Sequence, residues 1–242
     1  MLRFFRQLRQ RLLSENRISQ YLLYAVGEIV LVVIGILIAL QVNNWNEDRK
    51  KRQLKASYKT SLINDLASDT LMLGRMIHEN SRALQALNLQ KERILGSETP
   101  IDTLVKIARD EFEPELNTRF QYHRNTWNTV ISSGNIDLFS KAFNDRIMAL
   151  ISMQDLEREN SRYYLSIYSN KVTRYSDDFP VSKHLNSNIV NTIWADVDAK
   201  KLASGFISLT DIKGFAHYAF IKDMEAIKQE TINLLKELHA SE

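Results

Sequence analysis

The chain has 242 residues with three prolines, seven glycines and no cysteine, which excludes disulfides, thiolate metal sites and cysteine nucleophiles. Its formal net charge of +3 lies wholly in residues 1–43, where five arginines meet two glutamates, and the remaining 27 basic and 27 acidic residues cancel. A charge excess placed this way points to lipid and leaves no footprint for nucleic acid.

Residues 1–17 read as a basic amphipathic segment. Plotted as a helix, Met1, Phe4, Phe5, Leu8 and Leu12 fall in an arc of about 100° and the arginines Arg3, Arg6, Arg9 and Arg11 fall outside it. Such a helix lies in the headgroup plane, its arginines toward anionic lipid.

Residues 18–43 read as a transmembrane anchor. Tyr21 to Val42 contains fourteen Leu, Ile or Val residues and one ionisable group, Glu28. Twenty-two residues at 1.5 Å each reach about 33 Å, enough to cross a hydrocarbon core of ~30 Å. The apolar side chains favour insertion by roughly 0.3 to 0.6 kcal/mol apiece and outweigh the ~3 kcal/mol penalty of one acid. On the helical wheel Glu28, Gly35 and Ala39 share a stripe with Tyr21 and Asn46, which predicts an association face. No positive charge occurs in the NNWNED run just after the span, so a cytoplasmic N-terminus and an external body are expected.

Residues 44–242 read as one soluble helical-bundle domain. Few turn-formers and much Leu, Ile, Lys, Glu, Gln and Asn predict long helices, and the fold class is all-α. A first helix runs to Leu95, with Gly74 as its weak point and GSETP as its stop. Shorter helices are expected over 101–112 and 118–132, the latter halted at Gly134, with Asn135 capping the next helix. A long helix follows over 136–178 and a short one over 189–195. An irregular link reaches Gly205. The last helix covers 211–238, with Ile212, Phe215, Ala219, Met224, Ile227, Leu234 and Leu238 on its apolar side. Amphipathic helices of this length bury their stripes by packing antiparallel, as a bundle continuing from the anchor.

Catalytic patterns are missing. The five histidines are scattered singly, without metal-ligand spacing, and there is no nucleophile elbow, phosphate loop or dinucleotide glycine pattern. No metal, no cofactor and no enzymatic activity are expected. The acidic run from Asp110 to Glu115 lacks the oxygen spacing of a calcium loop. Arg119, His123 and Arg124, with Trp127, form a cluster that could grip an anion, Arg119, His123 and Trp127 sharing a face if the segment is helical; the reading weighed against it, and favoured, is that Trp127, Val130 and Ile131 are core with the arginines at its rim.

The segments YLLYAVGEIVLVVIGILIALQVNNWNE at 21–47, LLSEN at 12–16 and SSGNIDL at 132–138 resemble an uncharacterised family of bacterial membrane proteins, common in Bacteroidota and known only as a domain of unknown function. The resemblance implies a bacterial envelope protein with an N-terminal anchor and implies no activity, ligand or active site. The expected role is a membrane-anchored scaffold or interaction protein at the inner membrane. Its expected partners are membrane lipid and either further copies of itself or another membrane protein. Two alternatives stand beside it: an ion-coupled envelope subunit relaying protons through Glu28, and a sensor using the anion cluster of the body.

Overall fold

The computed structural model describes residues 18–96, 99–118, 120–181 and 188–240. The amphipathic segment 1–17 therefore lies outside the described residues. Six α-helices form, and no strand occurs among the described residues: α1 Ile18–Ile94, α2 Ile101–Lys106, α3 Asn125–Ser132, α4 Lys141–Ser176, α5 Asn188–Ala195 and α6 Ala199–Ala240. The all-α expectation holds. The chain divides into two units, Met1–Ser57 and Tyr58–Glu242, and α1 contributes to both.

In the first unit, α1 carries an 18-residue window of mean hydropathy 2.7 with none of it buried. By length and composition this helix is sufficient to cross a membrane. Leu22, Leu23, Ile29, Leu31, Ile34, Leu37, Ile38 and Leu40 are all exposed.

In the second unit, α1 runs without interruption past Gly74. A Cβ added there would meet the Lys228 ammonium at 3.3 Å, so the glycine lies within the helix and beside α6 rather than at a break. The buried residues of this part of α1 are Leu62, Leu66, Asp69, Leu73, Met76, Asn80 and Leu87. Steps of three and four residues place them on one stripe. Two of those core positions are polar.

Helices α4 and α6 make the principal helix pairing. Arg146 bridges Glu230 and Glu237, Asn160 donates to Asp223, and the Tyr164 ring lies 5.3 Å from that of Phe215. Partner numbers fall along α6 as they rise along α4, so the pair is antiparallel. Ser140 caps α4 by accepting from the Phe143 amide at 3.2 Å. Asp198 does the same for α6, accepting from the amides of Lys200 and Lys201. That cap starts the last helix at Ala199, twelve residues ahead of the position predicted from the apolar pattern.

The apolar core gathers at two levels. One contains Leu66, Leu73, Trp127, Phe143, Ile147, Phe220, Met224 and Ile227; the other contains Leu87, Ile107, Phe112, Tyr168, Tyr175, Trp194, Phe206 and Leu209. Helix α3 inserts Trp127 into the first, edge-on to Phe139 and Phe143. Helices α2 and α5 close the second through Leu104, Val190 and Trp194. In α6, Met224, Ile227, Leu234 and Leu238 are buried as the sequence predicts, and the difference is confined to the residues around Lys213. Lys213, Ala216 and His217 face the core, and Phe215 is 57 % exposed.

The turn after α3 is a Schellman motif. The Gly134 amide donates to Ile131, the Asn135 amide donates to Val130, and Gly134 takes φ +69°. Asn135 makes no side-chain cap for the following 3₁₀ turn Ile136–Leu138. Its amide instead donates to the Ser133 hydroxyl at 2.7 Å and to the Tyr58 hydroxyl at 3.3 Å, which ties the turn to α1.

Candidate functional site

Between α2 and α3 the chain leaves helical structure. The end of α2 widens into a π turn over Ile107–Glu111, where the Phe112 amide reaches back to the Ile107 carbonyl at 2.8 Å, and Phe112 then turns extended at ψ 128°. From there to Arg124 the described residues form an irregular strap, and helix resumes only at Asn125. The helix predicted over 118–132 is corrected accordingly. Arg119 lies outside the described residues, and His123 and Arg124 belong to the strap. The helical face proposed to align Arg119, His123 and Trp127 does not form, because only Trp127 is on α3.

A strap inside a helical bundle leaves backbone and side-chain polar groups to be satisfied by its neighbours. At its first end, buried Lys213 donates to the Glu113 carbonyl and stands 5.1 Å over the Phe112 ring, while the Tyr168 hydroxyl donates to the Pro114 carbonyl at 2.6 Å. At its second end, Asp69 of α1 accepts from both the His123 amide at 2.9 Å and the His123 ring Nδ1 at 2.7 Å. Arg124 donates to Gln154 and Asp155, each at 2.7 Å, and to the Ile151 carbonyl. Its guanidinium lies 5.7 Å from the centre of the Tyr122 ring. The Tyr122 hydroxyl donates to Glu157 Oε2 at 3.1 Å, and the Ser161 hydroxyl donates to Glu157 Oε1 at 2.6 Å. Asp65 takes the Thr126 amide at the start of α3.

The electrostatics follow from burial. Desolvation pushes the Asp69 carboxyl above its ordinary range, against the hydrogen bonds from His123 that favour its charge. Glu157 is raised for the same reason, opposed by the Ser161 and Tyr122 hydroxyls. Burial first, and the neighbouring Glu157 next, push the Tyr122 phenol up. Deeper in the body, His217 Nδ1 meets Asn80 Oδ1 at 2.8 Å while its Nε2 has no partner. Burial, helped by the Lys213 charge, pulls this histidine down to about 4.

Both described members of the predicted anion cluster are thus engaged with acidic residues, His123 with Asp69 and Arg124 with Asp155. Sequence reasoning missed Asp69, Asn80, Tyr122, Gln154, Glu157, Lys213 and His217. Asp69 and Asn80 did leave a trace, as polar interruptions in the three–four apolar spacing of α1. Among the described residues no group of three or more His, Asp or Glu is arranged to hold a metal ion. In the first unit, Glu28, Gly35 and Ala39 lie on α1, and their spacing sets them along one exposed side of it. A Cβ built on Gly35 meets nothing within 4 Å.

Beside the strap, two clefts follow one another along α4. The first, about 360 Å³, is lined by Thr118, Phe120 and Gln121 of the strap and by Glu157, Arg158, Ser161 and Arg162 of α4. The second, about 740 Å³, is lined by Pro114 to Asn117 and by Leu165, Tyr168, Ser169, Val172 and Thr173.

No curated protein and no solved structure matches the chain. A family model does match, over residues 28–214, and it takes in most of α1, the strap, α4 and the start of α6. The chain therefore belongs to that family, described as a family of unknown function, DUF6090.

Proposed function

We propose that this protein is a membrane-anchored helical interaction protein of the bacterial cell envelope, held in the inner membrane by residues 21–42. The observation that carries the reading is the exposed apolar stretch of α1, with its mean hydropathy of 2.7 and no burial. Fourteen exposed Leu, Ile and Val side chains in water would be strongly unfavourable, and a bilayer removes that penalty. The N-terminus is cytoplasmic and the body periplasmic, and the chain assembles with itself or with a membrane partner through Glu28, Gly35 and Ala39. The body binds rather than catalyses. Its buried carboxyls and histidine are occupied in holding the strap and the helices together.

The test uses the absence of cysteine, which gives single-cysteine reporters a clean background. In spheroplasts, a membrane-impermeant maleimide should label Ser169→Cys and spare Ser14→Cys until the membrane is broken. The protein should stay with the membrane pellet after alkaline carbonate. Release by carbonate would remove the anchor, and the opposite labelling pattern would reverse the orientation.

A further inference from the structure

The two clefts share one wall, the strap, and one floor, α4. Glu157 and Thr173 are sixteen helical steps apart, or about 24 Å. That is the length of an extended peptide of about seven residues at ~3.3 Å each. The two ends of this track differ in chemistry.

At the first cleft, Arg158 and Arg162 lie one turn apart on α4 and neither forms an ion pair or hydrogen bond among the described residues. Arg158 is near enough to Glu157 to favour its charge, but both Glu157 oxygens are held by the Ser161 and Tyr122 hydroxyls. Two guanidiniums facing a cleft, with a threonine and a glutamine opposite, suit carboxylates. At the second cleft Leu116, Leu165, Tyr168 and Val172 lie among Asn117, Ser169 and Thr173, and the one charged residue of the described lining is Glu115. An acidic group is attracted at one end of the track and repelled at the other.

The strap supplies the remaining requirement. The backbones of Glu115, Leu116, Thr118, Phe120 and Gln121 make no hydrogen bond to the described protein, so their amides and carbonyls are open to a pairing segment. Helices elsewhere in the bundle have no such edge to offer.

We propose that the track along α4 binds an extended protein segment of about seven residues, acidic at the end over Arg158 and Arg162 and uncharged, with apolar and hydroxyl side chains, at the end over Leu165 and Val172. This deepens the reading of the body as an interaction module and does not depend on the anchor, since a protein released by carbonate can still be tested for it.

The experiment measures fluorescence anisotropy with the full chain in detergent micelles. Its probes are fluorescein-labelled heptapeptides with two glutamates at one end followed by alternating valine and threonine, made in both orders. One order should bind, and replacing its glutamates by lysines should abolish binding. Arg158→Ala with Arg162→Ala should weaken it by about tenfold or more. Ser169→Trp, which fills the second cleft from an exposed position, should weaken it as well. Arg162→Glu, a single change at an exposed residue, serves as a second charge variant if the double change unfolds the protein. The proposal is overturned if neither order binds at millimolar peptide, if the lysine peptides bind equally, or if the arginine variants leave affinity unchanged. It is equally overturned if free glutamate or inorganic phosphate competes as well as the heptapeptide, since the first cleft would then be a small-anion site alone.

Discussion

His217 gives the body a specific weakness in acid. The side chain is 3 % exposed, with Nδ1 on Asn80 and Nε2 unpartnered, so protonation inside the fold places an uncompensated charge one turn from buried Lys213. Its folded value of about 4 lies below the ordinary histidine value of 6.5, and the unfolded chain therefore takes up the proton first as pH falls. Above pH 7 the residue contributes nothing to the pH dependence. Between 6.5 and 4 stability drops, by about 2.5 kcal/mol at pH 4.5. Asp69 and Glu157 act in the opposite direction, because their raised values mean that the folded state holds those protons more tightly. A single pH curve would mix the three, so the measurement is a difference. His217→Gln keeps a donor for Asn80 and does not titrate. Urea unfolding of both proteins in detergent, followed by the fluorescence of buried Trp127 and Trp194, should bring the wild type about 2.5 kcal/mol closer to the variant's disadvantage, or below it, between pH 7.5 and 4.5. An unchanged gap between the two proteins across that range would refute a neutral, buried His217.

Other perturbations test separate links in the argument. Asp69→Ala strands the His123 amide and ring at the end of the strap and should destabilise the body by about 2 kcal/mol, seen as a lower urea midpoint at unchanged slope. Trp127→Ala opens the first core level between Phe139 and Phe143 and should lower stability by about 3 to 5 kcal/mol in the same assay. Gly134→Ala meets the positive φ of the Schellman turn and should cost about 1 kcal/mol, although its Cβ would touch nothing. Gly35→Leu with Ala39→Leu should lower the native mass of the detergent-extracted complex, while Glu28→Gln should leave a scaffold assembled and would disable a proton relay.

The helices were readable wherever apolar spacing alone decides the outcome. The long apolar helix near the N-terminus, the α1 stop after Ile94, the short α5 and the Gly134 halt all follow from composition and turn chemistry. The failures have separate causes, and the first is that polar residues occupy core-facing positions. In α6 the apolar pattern favoured Ile212, Phe215 and Ala219, yet Lys213 and His217 face inward, because one supports the strap and the other pairs with Asn80. The start of α6 was missed because Asp198 caps a stretch of alanines and lysines that carries little periodicity. The second half of the strap was read as helical, as part of a helix over 118–132 with Arg119, His123 and Trp127 on one face. Local propensity lost there to long-range polar contacts that one sequence does not display, namely Asp69 to His123 and Glu157 to Tyr122.

Four of the buried polar residues of this bundle, Asp69, Gln154, Glu157 and Lys213, answer a strap that covers α4 in place of a helix. A helix satisfies its own backbone and asks its neighbours only for apolar surface. A strap does not, and each of its ends must find donors and acceptors on helices already committed to a core. Lys213 and Tyr168 answer the carbonyls at Glu113 and Pro114; Asp69, Gln154 and Glu157 answer the amide and side chains from Tyr122 to Arg124. Between those two ends the strap passes over α4 without hydrogen bonds from Glu115, Leu116, Thr118, Phe120 or Gln121, and there the two clefts open. Burying Asp69 and Glu157 raises both carboxyls, which marks them as costly when charged, and replacing them with leucine would give a simpler core. Such a core would lose the carboxylates that hold Tyr122 and His123, and with them part of what fixes the strap beside the clefts. The polar interior and the open track are therefore one arrangement, and a variant that loosens the first, Asp69→Ala above all, should also weaken peptide binding at the second.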